Sequence, residues 1–341
     1  MSQNGTHSHY FEVRGDTPAD CGRQLGRLFG RMARDLIAEE RADGSLQRYR
    51  AAAEERLSLT AAFFPSYVEE LKAYAEAARV DLVELWTMSI LDDLAPDACE
   101  HCTTLVTNNG MLVAHNEDWS ADAANGIVIL KRTCGPVTTL ELYYYGCPLG
   151  GVAISVSSNG YVQAINSVTH RDQGLGVPKT VLARRLSEVR DLGRELDGIL
   201  GIPRASGFAH TLIDRTGRAT VIELTATAAD VTCPGAPFAH TNHLLAPDLC
   251  PVAGAASHSS LTRYRDASAA AAPTMDAATL GDVMGRKDRG REASLFNDNT
   301  IARAIVDLDR RVASFWLRRE RRKGWIDYPI DFVFKDSMAV A

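Results

Sequence analysis

Apolar residues recur at helical spacing along the first part of the chain: Cys21, Leu25, Leu28, Phe29, Met32, Leu36 and Ile37, with arginines and acids between them, until Asp43-Gly44 breaks the pattern. The same period predicts a second helix from Leu46 to about Leu59, a third from Pro65 to Ala78 and a fourth from Leu82 to Leu94. Asp81 and Glu84 have capping-box spacing at the start of the fourth, and Pro96 ends it. The aromatics of this block, Phe63, Phe64, Tyr67 and Trp86, read as core. From Cys102 the pattern changes to short β-prone runs separated by turn residues: Gly126 to Arg132, Val137 to Tyr145, Val152 to Val156, Gly160 to Ile165, His210 to Asp214, Ala219 to Leu224 and Val231 to Cys233. Helical stretches are expected from Pro178 to about Leu200 and, on either side of Pro273, between Leu261 and Met284. Hairpin strands with helices grouped between them predict an α+β fold. There is no internal repeat and no interdomain linker.

With 341 residues, 45% hydrophobic and 23% charged, the chain has ample material for a core. A net charge of -6 lacks the basic excess of a nucleic-acid binder. No apolar run reaches membrane-spanning length and the first residues lack a signal peptide's hydrophobic segment, so the expected location is the cytoplasm. Seven scattered cysteines fit reduced thiols better than a disulfide framework; Cys21, Cys134, Cys147, Cys233 and Cys250 read as small buried residues.

The chemistry concentrates between residues 99 and 119. Two apolar runs, Thr103 to Val106 and Met111 to Ala114, flank Asn109-Gly110, a strong signal for a tight β-hairpin. In that register Thr103 faces Asn116, Cys102 faces Glu117 and His101 faces Asp118. If the His101-Cys102 bond is cut, Cys102 carries a thiol and a free α-amine on one residue. The amine titrates near ~7.7 and the thiol near ~8.5, so the amine can act as local base. Asp118 is placed to hold the new ammonium. The hairpin alone favours the plainer alternative, a half-buried strand cysteine with Asn116 and Asp118 ending a strand and Trp119 in the core.

Cys102-Thr103 followed by Asn116-Glu117-Asp118-Trp119 resembles the signature of the penicillin acyltransferase family of N-terminal nucleophile hydrolases. Further matches follow in order: Ser158-Asn159-Gly160 leading to Asn166-Ser167, His240-Thr241-Asn242-His243, Ser260 to Arg263, and Thr300 to Asp307. The resemblance implies a four-layer αββα sandwich and a precursor that cuts itself before the cysteine. Residues 1–101 would then be a helical pro-segment that stays bound as the small chain, and 102–341 the catalytic chain. It implies Cys102 as nucleophile, Asp118 as partner of its amine, and Asn242 as oxyanion donor. Asn166 would be a second pocket asparagine and Arg263 the arginine holding the thiol and Asp118, with Asn116 and Ser260 supporting. Without it, Asn242 reads as an Asx-turn and Ser260 as a helix cap.

The best-known members of the family place a glycine before the nucleophile where this chain has His101, which makes the strained geometry for self-cleavage harder to reach. The implied activity is hydrolysis of a linear amide of a small N-acyl compound through an acyl-Cys102 thioester. The alternatives are acyl transfer, with acyl-coenzyme A or an amine as co-substrate, and a non-catalytic binding relative. No cofactor is expected. Nor is a metal: Cys99-Glu-His-Cys102 lacks a second cysteine pair, and His115, His240 and His243 lack a completing cluster. A Cys99–Cys102 disulfide in the precursor is one further reading. Phe63, Tyr67, Trp119 and Tyr145 are candidates for the pocket wall.

Overall fold

The computed structural model describes residues 6–95 and 102–335. Strand β1 (Tyr10–Gly15) leads into helices α1 (Pro18–Ala42), α2 (Ser45–Phe63), α3 (Pro65–Ala78), α4 (Leu82–Ser89) and α5 (Leu91–Leu94). Strands β2 (Thr103–Thr107), β3 (Leu112–Asp118), β4 (Ile127–Cys134), β5 (Val137–Tyr144), β6 (Val152–Ser157) and β7 (Tyr161–Ser167) follow. After α6 (Lys179–Ser187) and α7 (Leu192–Leu200) come β8 (Phe208–Asp214), β9 (Ala219–Leu224), β10 (Ala229–Thr232) and β11 (Phe238–His240). The chain closes with α8 (His258–Ala270), α9 (Ala277–Met284), α10 (Gly290–Ala293), β12 (Thr300–Asp307), β13 (Val312–Leu317) and β14 (Ile326–Pro329).

Local chemistry sets these boundaries. Thr17 and Asp20 form a capping box ahead of Pro18 at the start of α1. Pro65 opens α3, and Arg79 in the left-handed region (φ 58°) closes it. The expected fourth helix divides after Ser89, where the Thr87 and Ser89 hydroxyls donate to the Val83 and Leu85 carbonyls. The stretch from Pro178 divides too, because Asp191 caps a new helix by accepting from the Arg194 N–H. Phe63, expected in the core, is 44% exposed at the end of α2, whereas Phe64, Tyr67 and Trp86 are buried.

Two sheets stack face to face. The larger runs β1-β4-β5-β6-β7-β8-β9-β10 and the smaller β11-β2-β3-β12-β13-β14. Strand alternation assigns their faces. In β4, Ile127 and Ile129 pack with Val106, Val113 and Ile301 of the facing sheet. Val128 and Leu130 turn the other way, onto Phe29, Leu71 and Trp86 of the helical block. Outside the smaller sheet, Leu105, Leu112, Ala114 and Ile305 meet Leu280, Val283 and Met284 of α9. The order of layers is therefore helix, sheet, sheet, helix. The N-terminal segment is more than helical, since β1 pairs in parallel with β4, Tyr10 opposite Ile129.

The β2–β3 hairpin that carries the candidate nucleophile is fixed at its far end. Met111 N–H donates to the Asn108 carbonyl at 3.0 Å across Asn109 (φ 53°) and Gly110 (φ 86°), the positive-φ turn that Asn-Gly favours. Gly110 abuts Gly217 in the β8–β9 turn, so closely that a Cβ on Gly110 would lie 1.9 Å from the Gly217 carbonyl oxygen. The turns of the two sheets thus touch backbone to backbone.

Candidate active site

The hairpin register pairs Thr103 with Asn116 and Thr104 with His115, which places Cys102, one residue before β2, opposite Glu117. Alternation along β3 then divides four consecutive polar residues between two faces. His115 and Glu117 point between the sheets, while Asn116 and Asp118 point toward α9 and the segment before β12.

On the inner face, the Cys102 thiol donates to Glu117 Oε2 at 3.1 Å. The same oxygen lies 2.9 Å from His115 Nε2, and Tyr144 of β5 donates to Oε1 at 2.8 Å. His115 Nδ1 meets Thr104 Oγ1 at 3.0 Å, and that hydroxyl donates to Asn166 Oδ1 at 2.8 Å. A polar chain therefore runs from Cys102 through Glu117, His115 and Thr104 to Asn166 of the opposite sheet. All five residues are buried. Asn166 is linked to the thiol along this chain, and its amide also points to the His240 carbonyl at 3.5 Å.

On the outer face, Arg263 of α8 is wholly buried. Its Nη1 donates to the Cys102 carbonyl and to Thr103 Oγ1, each at 2.7 Å, and its Nη2 donates to Asn242 Oδ1 at 2.7 Å. Arg263 and Asn242 thus meet directly beside the Cys102 backbone. Asn242 is held further by its backbone N–H on Ser260 Oγ (2.9 Å) and by its Nδ2 on the Ser167 carbonyl (2.9 Å). Ser260 is consequently not the helix cap; Ser257 is, accepting from the Ser260 N–H. Burial pushes the Asp118 carboxyl up to about 6, against the opposing pull of the Arg263 charge and of hydrogen bonds from Thr300 and Asn297. Asn297, 2.7 Å from Asp118 Oδ2, had no periodic or motif signal in the sequence. Asn116 lies away from the thiol and ties β3 to α9, donating to the carbonyls of Met284 and Leu295 and accepting from Arg303.

Other expectations fall elsewhere. His101 and Cys99 lie outside the described residues. Cys233 and Cys250 are exposed rather than buried. Tyr67 is no pocket wall, since its hydroxyl donates to Glu188 at 2.6 Å beneath the helical block. His240 is engaged by Glu223 at 2.8 Å and His243 by Ser260 at 2.8 Å, so neither joins His115. Among the described residues it is Cys102, His115 and Glu117 whose ligand atoms converge, all within 4.8 Å of one another.

A small cavity of about 40 Å³ touches Cys102, Glu117, Trp119 and Tyr144. Trp119, Tyr144 and Cys147 also border a wider cavity of about 700 Å³. Its far wall comes from α1 and the end of the helical block, through Met32, Leu36, Met88 and Leu91. Asp35, Glu39, Glu40 and Asp122 line it, and among the described residues no basic side chain does.

Residues 105–322, more than half of the chain, match the model of the acyl-coenzyme A:6-aminopenicillanic acid acyl-transferase family. The chain belongs to that family. Among curated proteins it is similar to the β-alanyl-dopamine/carcinine hydrolase of Drosophila melanogaster, 26% identical over 231 residues. That match covers 58% of this chain and spans 59% of the relative's length. Remote structural likenesses include penicillin V acylase from Agrobacterium tumefaciens (12% identity, TM-score 0.43, 64% of this chain and 83% of that one). Another is a single-residue variant of conjugated bile acid hydrolase from Clostridium perfringens (10% identity, TM-score 0.46, 67% and 92%). The family span contains Asp118, Asn166, Asn242 and Arg263, and Cys102 stands three residues ahead of it. No helix of the described residues is long and apolar enough to cross a membrane.

Proposed function

We propose that this chain is a self-processing cysteine amidohydrolase in which Cys102 acts twice. The observation that carries the reading is the Cys102 thiol, 3.1 Å from the Glu117 carboxylate, with Arg263 and Asn242 joined at its backbone. In the uncut chain the nitrogen of Cys102 is an amide and cannot serve as base. Glu117 takes the thiol proton, and the sulfur attacks the His101 carbonyl carbon. The C–N bond breaks as the Cys102 nitrogen gains a proton, leaving a thioester. Water hydrolyses it, freeing the thiol and a His101 carboxylate. Residues 1–101 and 102–341 then remain associated as small and large chains.

The liberated α-amine becomes the base for turnover. It accepts the thiol proton as sulfur attacks a substrate amide, and returns it to the departing amine. Water then releases the acyl group as a carboxylic acid. Asn242 is the donor to the tetrahedral oxyanion, an interaction worth roughly 3 kcal/mol per donor. Asp118 holds the ammonium, and Arg263 fixes the Cys102 carbonyl and the amide of Asn242 together.

The acid-lined cavity suits a substrate with a positive charge, and the relative named for β-alanyl-dopamine and carcinine supports the same class, since a β-alanyl amide carries an ammonium on its acyl part. Water is the acceptor in this reading; an amine or acyl-coenzyme A would serve in the transfer variant of the same chemistry.

The test is the denatured mass of the purified protein beside Cys102→Ala. Two masses that sum to the precursor plus one water, split between His101 and Cys102 and absent in the variant, are expected. A full-length protein that cleaves amides would overturn self-processing. A full-length protein without a hyper-reactive cysteine would overturn the enzyme reading.

A further inference from the structure

The N-terminal nucleophile reaction gives His115 no task, yet this imidazole is wholly buried one atom pair from the nucleophile's partner. Its protonation follows from its neighbours. The amide of Asn166 points its nitrogen at the His240 carbonyl, so its oxygen faces Thr104. The single hydroxyl proton of Thr104 goes to that oxygen, and Thr104 Oγ1 must therefore accept from His115 Nδ1–H. The other nitrogen, Nε2, turns its lone pair toward Glu117 Oε2, 2.9 Å away. Two lone-pair atoms at that distance require a cation between them, either a proton or a metal ion.

From this convergence we propose that Cys102, His115 and Glu117 form a binding site for a zinc-class divalent cation that reversibly blocks the nucleophile. The donor set is one thiolate, one imidazole nitrogen and one carboxylate oxygen, a combination that suits Zn²⁺ and its spectroscopic surrogate Co²⁺. The Sγ–Oε2 and Nε2–Oε2 separations are 3.1 and 2.9 Å. Ligands on a tetrahedral ion at about 2.0–2.3 Å stand roughly 3.3–3.7 Å apart, so spreading by about half an ångström admits the ion. Thiolate and carboxylate neutralise its two charges. Thr104 on His115 Nδ1 and Tyr144 on Glu117 Oε1 are outer partners of the kind that orient metal ligands, holding Nε2 and Oε2 toward the sulfur. The adjoining cavity of about 40 Å³ has room for a water as fourth ligand. Binding takes the ion in and releases the thiol proton and any proton between Glu117 and His115. No redox step is involved.

The site stands on these three side chains whether or not the chain cuts itself; only its inhibitory consequence rests on the function proposed above. The experiment titrates the full chain with Co²⁺ in the absence of substrate. A stoichiometric near-ultraviolet thiolate-to-cobalt absorption is expected, displaced by Zn²⁺ and lost in both Cys102→Ser and His115→Ala. Zn²⁺ should also protect Cys102 from iodoacetamide, read on its tryptic peptide, with protection reversed by a chelator. Where an amide substrate is turned over, activity should fall about a hundredfold at a free zinc concentration 100 times Kd. Should either variant fail to fold, the alkylation readout on the unmodified chain decides alone. Absence of the thiolate absorption, its persistence in Cys102→Ser, or unprotected Cys102 at saturating zinc would each overturn the site. An active enzyme with no cobalt signal would sink the metal site and leave the hydrolase reading standing; the converse result would do the opposite.

Discussion

Glu70 offers a severe test of how the two segments hold together. It lies on α3, 1% exposed, and receives both terminal nitrogens of Arg184 on α6, at 2.9 and 2.7 Å. Arg132 of β4 donates to the same carboxylate at 3.4 Å, and both arginines also reach Glu188, at 3.2 and 3.1 Å. Replacing Glu70 by Ala leaves two buried guanidinium groups short of one counter-charge and opens a gap in α3. Breaking a buried pair from one side costs about 3–5 kcal/mol. Glu188 still faces both guanidinium groups, and Glu141 sits 3.5 Å from Arg132, so the lower end, about 3 kcal/mol, is expected. At about 1.4 kcal/mol per tenfold, that is roughly a hundredfold in the folding equilibrium. The measurement is urea unfolding in a Cys102→Ala background, where the chain stays whole. With a slope of about 3 kcal/mol/M the midpoint should fall by about 1 M. Converting Glu70 and Arg184 together to Met should recover most of the loss, because a buried ion pair is often no better than apolar packing. If the chain is self-processed, the same Glu70→Ala change should weaken the association of the small and large chains by about a hundredfold, read by gel filtration over a dilution series. A loss below about 1 kcal/mol, or a double variant no better than the single one, would refute the account of this network as a mutually dependent cluster.

Glu117→Gln keeps the shape of the site but cannot take the Cys102 proton; self-cleavage followed by mass spectrometry should slow by about 10²-fold or more, the usual weight of a positioned base. Gly110→Ala combines a positive φ with a clash on the Gly217 carbonyl, so it should lower the thermal midpoint and slow processing by loosening the hairpin, while Gly44→Ala, at positive φ but in open space, should be milder. Burial lowers His210 to about 3, so the folded protein excludes a proton that the unfolded chain binds at 6.5. Stability from this group is present above about pH 6.5 and lost as the pH falls toward 3, and His210→Gln should be about 3 kcal/mol less acid-sensitive between pH 7 and 4.

Much of the scaffold was legible because its signals are local. Asn109-Gly110 accepts positive φ at both positions, and that fixed the register placing Cys102 against Glu117. Pro65, and Asp81 accepting from the Val83 and Glu84 N–H groups, set helix starts for the same reason. The breaks after Ser89 and before Asp191 were hidden because apolar periodicity continues through them, while hydroxyl-to-carbonyl bonds and a competing cap decide the backbone. At the site, alternation alone separates His115 and Glu117 from Asn116 and Asp118. Which pair meets the opposite sheet depends on Tyr144 and Asn166, far along the chain, and so does the convergence on the thiol. Asn297 and the buried arginine network depend likewise on long-range packing that no short window contains. The strand at Tyr10–Gly15 was missed because its partner, β4, lies more than a hundred residues downstream.

That strand changes what a cut before Cys102 would mean. A propeptide in the usual sense departs and leaves a finished molecule. Here the severed piece would keep a strand in the larger sheet and much of a core, so the cut would be a nick in an already woven fabric. The folding programme would be usable once: an uncut chain carries both halves on one tether, while a matured molecule that unfolds must recover its other half from solution. Such a protein would age irreversibly, its refolding yield depending on its own concentration only after maturation.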